Sequence, residues 1–150
     1  MKKRILTLLA FVLGISVFAQ AQDPVIWSYS AKKKSANTYE VVLSARLDDA
    51  WHIYSVYTPK GGPVATKINF KKNPLISVEG VVKENGKMET MKDKIFSVDV
   101  KYFSDHVDFV QTVKVKGNIK TNIAGTVQYM VCDDSQCLPP TTRNFDIKLQ

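Results

Sequence analysis

The sequence predicts an all-β fold, an immunoglobulin-like antiparallel β-sandwich, and three observations support this prediction. Apolar and polar residues alternate with a period of two over several short segments, which is typical of strands with one buried face. Turn-forming residues separate these segments at intervals of about 8 to 12 residues. No segment has the apolar spacing of an amphipathic helix. Seven to nine short strands of this kind favour a sandwich, with a small barrel as the alternative.

The predicted strands follow one another from residue 38 to the end of the chain. In residues 38–47 the apolar positions Tyr39, Val41 and Leu43 fall on one side of the pattern. The same alternation predicts strands at residues 51–55, 66–70, 76–82, 97–103, 107–115, 125–132 and 144–149. The proline- and glycine-rich residues 59–63 and the stretch 84–86 are predicted to be turns.

The first 21 residues predict a secretory signal peptide. Residues 2–4 are basic, residues 5–18 form an almost uncharged apolar run, and Ala19-Gln20-Ala21 is a small-x-small cleavage site. The run is shorter than the about 20 residues that span a bilayer, and no second such run follows. We therefore expect an exported, soluble mature domain of residues 22–150 with no membrane insertion.

Length and charge limit what this mature domain can be. The 129 residues from 22 to 150 are enough for one domain with a single core. The whole chain carries a formal charge of +7, of which three charges lie at residues 2–4, so the mature domain carries +4. Its lysines are scattered among acidic residues and lack interleaved arginine and aromatic residues, so a nucleic-acid partner is not expected.

Both cysteines of the chain lie in the stretch CDDSQCLPP, at residues 132–140. If residues 125–132 form a strand, Cys132 lies on its more polar face. A strand that pairs back through the loop 133–136 would place Cys137 directly opposite. Opposite residues have Cβ atoms about 4.5–5.5 Å apart, slightly farther than the about 3.8 Å of a disulfide. We therefore expect that a bridge is feasible and accessible.

This bridge is better suited to opening and closing than to stabilising the fold. A disulfide that closes a six-residue loop stabilises by only about 2 kcal/mol, and an exposed bridge is the labile kind. Pro139 and Pro140 stiffen the exit from the loop, which keeps the sulfurs in register after reduction. The carboxylates of Asp133 and Asp134 disfavour a thiolate. The pair therefore favours a reductant that passes electrons onward.

The sequence around the cysteines resembles that of a known family, the N-terminal periplasmic domain of the DsbD thiol:disulfide interchange proteins. The resemblance is carried by YMVCDDSQCLPP at residues 129–140 and by WHIYSVYTPKGGPVATKINF at residues 51–70. It covers nearly the whole mature chain, as a stand-alone domain. It implies an immunoglobulin-like fold and a thiol:disulfide oxidoreductase of the protein-disulfide reductase type. The implied partners are a membrane-embedded thiol reductase as donor and periplasmic thioredoxin-fold proteins as acceptors.

The resemblance also implies roles for single residues. Cys137 matches the attacking sulfur, Cys132 its resolving partner, and Tyr54 a tyrosine that lines the site. Family members shield the disulfide with a phenylalanine on a loop, for which Phe96 in KDKIFS is the best match and Met91 a poorer one.

The chain departs from the family pattern in three places. His52 stands where a second site tyrosine is found in the family, and Lys94 and Ile95 replace acidic residues beside the phenylalanine. Four residues separate the cysteines, where some members have five. We expect an imidazolium at His52 to favour the thiolate and to offset the two aspartates. Alternatively, the aromatic residues His52, Tyr54 and Phe96 belong to the core or the sheet surface.

Two other functions stay open at the level of the sequence. The domain could be a binding module whose hairpin is stapled by a structural disulfide. It could also bind copper or zinc, through the two cysteines and two histidines or through soft sulfur ligands, the candidates being Cys132, Cys137, His52, His106, Met88, Met91 and Met130. No Ser/His/Asp order and no glycine-rich phosphate loop is visible, so hydrolysis, group transfer and a cofactor are not expected.

Overall fold

The computed structural model describes residues 23–92, 97–117 and 119–150, and the regular structure within them is β-strand throughout. The predicted signal peptide, residues 1–21, lies outside the described residues. Within those residues the strands, in chain order, are β1 Val25–Lys33, β2 Thr38–Leu47, β3 His52–Tyr54, β4 Lys67–Phe70, β5 Ile76–Lys92, β6 Asp99–Val115, β7 Thr121–Tyr129, β8 Val131–Cys132 and β9 Thr141–Leu149.

The strands form two antiparallel sheets. In the larger sheet β6 is central: β5 pairs along one edge, while β2 and β3 share the other edge, with β1 beyond β2 and β8 beyond β3. The smaller sheet has the order β4-β7-β9. The predicted immunoglobulin-like β-sandwich is confirmed, and the barrel alternative is wrong because the strands divide into two separate sheets.

The core lies between the two sheets and follows from the alternation of the strands. On β2 the buried positions are Tyr39, Val41, Leu43, Ala45 and Leu47, as the period of two predicts. Facing side chains from the smaller sheet include Ile123, Val127 and Tyr129 on β7 and Phe145, Ile147 and Leu149 on β9. Burial of each large apolar side chain stabilises the fold by about 1.5–3 kcal/mol. This core fixes the two sheets face to face and leaves their outer faces for other contacts.

The strand β1 is absent from the strands that the sequence predicted. In this segment Trp27, Tyr29 and Ala31 alternate with two serines, but the alternating pattern is short and three lysines follow it. In the structure these three side chains are half-buried against the main core, and the Trp27 ring lies 5.1 Å from that of Tyr129. The local pattern of this segment is weak, and pairing with β2 along nine residues therefore stabilises it as a strand.

The strands β5 and β6 are longer than predicted. The turn expected at residues 84–86 is wrong, because β5 continues through them and the pairing with β6 shifts register between Gly86 and Met88. A β-bulge of this kind absorbs turn-like residues without ending a strand. Gly86 is needed there, since an added Cβ would lie 2.7 Å from the carbonyl oxygen of His106. Residues 97–103 and 107–115 are predicted as two strands, but residues 99–115 form the single strand β6, in which Asp105 adopts a left-handed conformation with φ 68°.

Within the described ranges, no helix has the length and apolar character needed to cross a bilayer.

Candidate functional site

The chain passes from one sheet to the other at a single residue just before the first cysteine. Strand β7 pairs with β9 in the smaller sheet, and β8 pairs with β3 in the larger one. Only Met130 separates β7 from β8. Val131 then faces the main core, while Cys132 faces the opposite side of the larger sheet. This crossing sets Cys132 directly opposite His52 on β3.

Cys132 and Cys137 form a disulfide, with their Cα atoms 4.0 Å apart and the two residues paired as an antiparallel bridge. The hairpin around them is closed by two backbone hydrogen bonds. The Asp133 N–H donates to the Gln136 carbonyl at 2.9 Å, and the Leu138 N–H donates to the Val131 carbonyl at 2.9 Å. The predicted placement of Cys137 opposite Cys132 is confirmed.

The two half-cystines differ in exposure, and the expected accessibility is wrong for one of them. Cys132, predicted to lie on the more polar face of a strand, lies on the face opposite the main core and is only 2% exposed. That face is not open to solvent there, because a second apolar cluster covers it, formed by Tyr54, Val100 and Cys132 with Val98, Tyr102 and Met130 packed against them. Cys137, at the far side of the hairpin, is exposed. Of the two half-cystines, Cys137 is therefore the one with exposed surface.

Strand β3 brings His52 and Tyr54 to the buried sulfur. Both side chains lie on the same face of β3, while Ile53 between them points into the main core. The Tyr54 hydroxyl donates a hydrogen bond to Cys132 Sγ at 3.1 Å, and His52 Nε2 lies 3.2 Å from the same hydroxyl oxygen. The sequence-predicted residues His52, Tyr54 and Cys132 therefore form one connected chain of polar contacts.

Tyr102 belongs to this cluster and was missed by sequence reasoning. It lies on β6 directly opposite Tyr54, its ring is 4.9 Å from that of His52, and its hydroxyl donates to Glu89 Oε2 at 3.4 Å. Burial, then the charge of Glu89 and its hydrogen bond, then the charge of Asp134 raise the pKa of Tyr102. The available signal was the alternation of residues 97–103, which places Tyr102 and Phe103 on opposite faces.

The two aspartates of the hairpin differ in their contacts. Asp133 Oδ1 accepts hydrogen bonds from the Ser135 N–H at 2.7 Å, the Ser135 hydroxyl at 2.8 Å and the Gln136 N–H at 2.7 Å. These hydrogen bonds, first those from Ser135 and then that from Gln136, lower the pKa of Asp133. Asp134 is exposed. Asp133 thus holds the loop between the cysteines through these hydrogen bonds. The sequence predicted only an effect of its charge on the sulfurs.

The residues after Cys137 split between core and surface. Leu138 packs against the main core, whereas Pro139 and Pro140 are exposed beside the accessible sulfur. Phe96, the predicted cap, lies outside the described residues. Met91, the poorer match, is exposed on β5 opposite Val100, a member of the cluster that covers Cys132.

The metal alternative finds no assembled ligand set in the part of the chain that the structure describes. There, no three His, Cys, Asp or Glu side chains are grouped so that they could hold a metal ion. The two sulfurs are bonded to each other, and His106 Nε2 lies 3.0 Å from Asp108 Oδ1 on β6. His106 is therefore paired with a carboxylate, and the structure does not bring it together with the cysteines as a ligand set.

A family model described as "Thiol:disulfide interchange protein DsbD, N-terminal" matches residues 19–149 of the chain. No curated protein matches its sequence.

Solved structures share the architecture at low sequence identity. The N-terminal periplasmic domain of ScsB from Proteus mirabilis is 19% identical with a TM-score of 0.58, over 85% of this chain and 47% of that one, so the chain spans about half the length of that protein. The reduced DsbD N-terminal domain of Neisseria meningitidis is 15% identical with a TM-score of 0.51, over 83% and 84%. The same domain type, from a complex with the PilB N-terminal domain of N. meningitidis, is 13% identical with a TM-score of 0.55, over 85% and 87%. At these identities the likeness establishes a shared fold.

Proposed function

The chain belongs to the family of N-terminal domains of the thiol:disulfide interchange protein DsbD, and from this premise we propose that its Cys132–Cys137 pair relays electrons to thioredoxin-fold proteins in the periplasm. Membership of this family together with a bonded cysteine pair marks a thiol–disulfide exchange domain. The finer proposal concerns the direction of exchange, the role of each sulfur and the partners.

The difference in burial between Cys132 and Cys137 supports this proposal. Exchange proceeds when a thiolate attacks one sulfur of a disulfide and forms a mixed disulfide. Cys137 is exposed beside Pro139 and Pro140, whereas Cys132 is 2% exposed beneath Tyr54 and its neighbours. A partner therefore bonds to Cys137, and Cys132 closes the exchange from within.

The proposed transfer balances as two exchanges. In the reduced domain the Cys137 thiolate attacks the disulfide of an acceptor, which forms a Cys137–acceptor bond and releases one acceptor thiolate. Cys132, once deprotonated, attacks Cys137 Sγ, which forms the intramolecular bond and releases the second acceptor thiolate. Two electrons pass from the pair to the acceptor, and two protons follow. The donor reverses these steps on the oxidised domain.

Three observations support the partners and the compartment in this proposal. A neighbour of the same fold was solved in a complex between DsbD N-terminal and PilB N-terminal domains, so this fold can present a face to another protein domain. The signal-peptide pattern of residues 1–21 supports export. The carboxylates on the hairpin favour a pair that gives up electrons, with a membrane-embedded thiol reductase as the proposed donor.

A trapping experiment tests the proposal. In Cys132→Ser the mixed disulfide cannot be resolved from within, so a covalent adduct through Cys137 to a periplasmic thioredoxin-fold protein is expected on a non-reducing gel. Cys137→Ser is the matched control and should trap far less. Adducts formed only by Cys137→Ser would reverse the two roles.

The reduction potential separates this function from a stapled binding module. A relay should equilibrate with a thioredoxin-fold partner, whereas a structural bridge should have a potential below about −300 mV and exchange slowly. Such a potential, together with no adduct from either variant, would assign the hairpin a structural role.

A further inference from the structure

We infer that His52 holds the proton that enters and leaves the Cys132 sulfur, and that the proton passes through the Tyr54 hydroxyl. This inference rests on the proposed exchange function and deepens it. It gives a positioning role to a residue that stands in place of a family tyrosine.

The burial of Cys132 makes a proton partner necessary. Each time the bridge opens, Cys132 leaves as a thiolate, and each time it closes, the Cys132 thiol must lose its proton. Cys132 is 2% exposed and packs with Tyr54 and Val100. Burial in apolar surroundings disfavours a bare thiolate, so a neighbouring group has to exchange the proton with this sulfur.

The contacts around Cys132 provide one route. The Tyr54 hydroxyl donates to Cys132 Sγ at 3.1 Å, which leaves its oxygen as the acceptor for a proton on His52 Nε2, 3.2 Å away. Both distances join buried atoms, since Tyr54 is 1% and His52 8% exposed. Tyr54 thus touches the reacting sulfur, and His52 acts on that sulfur through Tyr54.

The proton step balances in both directions. When a thiolate attacks Cys137, the disulfide bond breaks and Cys132 receives the electron pair. Tyr54 gives its proton to Cys132 Sγ and takes the Nε2 proton of the His52 imidazolium. A thiol, a neutral tyrosine and a neutral imidazole remain. When the bridge closes, the neutral imidazole takes back the proton through Tyr54 as Cys132 attacks.

Several titratable groups of the described chain face His52 from the packed elements. They are Tyr54 on its own strand, Cys132 on β8 and Tyr102 on β6, with Glu89 and Asp134 around the Tyr102 hydroxyl. None of these side-chain types has an ordinary pKa between pH 5 and 8, whereas the imidazole of a histidine has. A step that depends on His52 should therefore vary with pH in that range.

The test uses the reduced domain and 5,5′-dithiobis(2-nitrobenzoic acid), with no protein partner. The first thionitrobenzoate is released when Cys137 forms a mixed disulfide with the reagent. The second is released when Cys132 attacks Cys137 Sγ, so its rate reports the step that needs the proton acceptor. In the wild type this second rate should rise between pH 5 and 8 and then level off.

Three variants of the site and one control variant separate proton transfer from packing. His52→Gln and Tyr54→Phe should slow the second release at pH 7 by about tenfold or more, since acid–base catalysis contributes at least that much. Their rates should rise only at high pH, because burial disfavours the Cys132 thiolate when no proton acceptor is present. His52→Tyr keeps an aromatic ring and adds a hydroxyl but has no group that titrates near neutrality, so it should behave like His52→Gln. His106→Gln, which changes the other histidine, should match the wild type.

Second-release rates within twofold of the wild type at pH 7 in both His52→Gln and Tyr54→Phe would overturn the inference, as would a wild-type pH profile in His52→Tyr. Thermal unfolding of each variant identifies any that does not fold. If a His52 variant does not fold, a slow second release in folded Tyr54→Phe still shows that the proton passes through the Tyr54 hydroxyl. If no partner is trapped but the second release keeps its dependence on His52, the relay to partners fails and this inference stands.

Discussion

Tyr54 shows, at the scale of a residue, how the site is held in place. Its ring belongs to the cluster over Cys132, its hydroxyl contacts Cys132 Sγ, and its carbonyl oxygen accepts the Thr66 hydroxyl at 2.5 Å. The local pattern predicted that Tyr54 lies on a strand. It could not place Tyr54 beside Cys132, because that contact depends on the pairing of β3 with β8, which are 78 residues apart in sequence at this contact. The family resemblance supplied Tyr54, but the role of Tyr102 required the structure.

Phe96 is predicted to shield the exposed side of the bridge. A flat apolar side chain over Cys137 would exclude small thiols until a partner displaces it. Phe96→Ala should therefore be reduced several-fold faster by glutathione than the wild type, followed as the appearance of free thiols. Met91→Ala is the matched control on β5, which precedes Phe96 in the sequence, and it should react at the wild-type rate. An unchanged rate in a folded Phe96→Ala would reject the cap.

Asp133 is predicted to hold the hairpin in a pH-dependent way. Its hydrogen bonds from Ser135 and Gln136 lower its pKa in the folded state, so the carboxylate stabilises the loop above the ordinary aspartate pKa of about 3.9 and loses that effect as the pH falls through the folded value. Amide hydrogen exchange at Ser135 and Gln136, measured by NMR, should be faster in Asp133→Ala at pH 6. Asp134→Ala should leave it unchanged, and equal exchange in both variants would contradict the assignment.

At the scale of an element, β5 is held by more than its pairing with β6. Glu84 Oε2 accepts the Ser55 hydroxyl at 2.7 Å, and its Oε1 accepts the Val56 N–H at 2.7 Å. These bonds tie β5 to the segment that follows the site strand β3. Hydrogen bonds to a partly buried carboxylate contribute more to the free energy of unfolding than an exposed ion pair does.

Glu84→Ala is therefore expected to destabilise the domain by about 2 kcal/mol in urea unfolding. The matched control is Glu79→Ala on the same strand, which removes an exposed ion pair with Lys114 and should cost less than about 1 kcal/mol. Equal losses in the two variants would mean that Glu84 holds β5 no more firmly than a surface charge.

The elements also show where local patterns were sufficient. Residues 38–47 were predicted from alternation alone and form β2 with the same bounds, because one face of that strand meets the core along its whole length. Residues 84–86 do not form the predicted turn, because pairing with β6 continues through a bulge despite their turn-forming composition. Non-local pairing thus decided the outcome where local propensity pointed elsewhere.

At the scale of the whole molecule, Asp23 joins the start of the large sheet to the small sheet. Its Oδ2 accepts the Tyr129 hydroxyl and the Arg143 guanidinium, with Arg143 Nη2 at 2.6 Å and Nε at 3.2 Å. Tyr129 is on β7 and Arg143 on β9, while Asp23 precedes β1. Burial first and the hydrogen bond to Asp23 second raise the pKa of Tyr129 to about 12.

Tyr129→Phe keeps the ring in the core and should destabilise the domain by about 2 kcal/mol at pH 8. Because the folded pKa is raised, the contribution of the hydroxyl is complete below the ordinary tyrosine pKa of about 10 and is lost as the pH rises through about 12. The difference in unfolding free energy from the wild type should therefore shrink between pH 10 and 12. Ser44→Ala, which removes a hydrogen bond to Asp108 and no group that titrates between pH 10 and 12, is the control, and its difference from the wild type should not change with pH. A difference that does not change with pH would contradict this account.

The mature protein is predicted to begin near Gln22. The cleavage site Ala19-Gln20-Ala21 ends two residues before Asp23, so removal of the leader would leave the Asp23 contacts intact. Mass spectrometry of protein secreted by an expressing cell should find the mass of residues 22–150. A mass that includes residues 5–18 would refute the prediction.

The hydrogen-bonded hairpin also bears on how long a partner stays attached. The bonds from Asp133 to Gln136, from Leu138 to Val131 and onto Asp133 Oδ1 do not involve the sulfurs, so opening the disulfide leaves them in place. The two thiols then remain neighbours with little conformational freedom to lose, which corresponds to a high effective molarity of one toward the other. Cys132 should displace a bound partner faster than an outside thiol at cellular concentration could, so mixed disulfides of the wild-type domain should be short-lived.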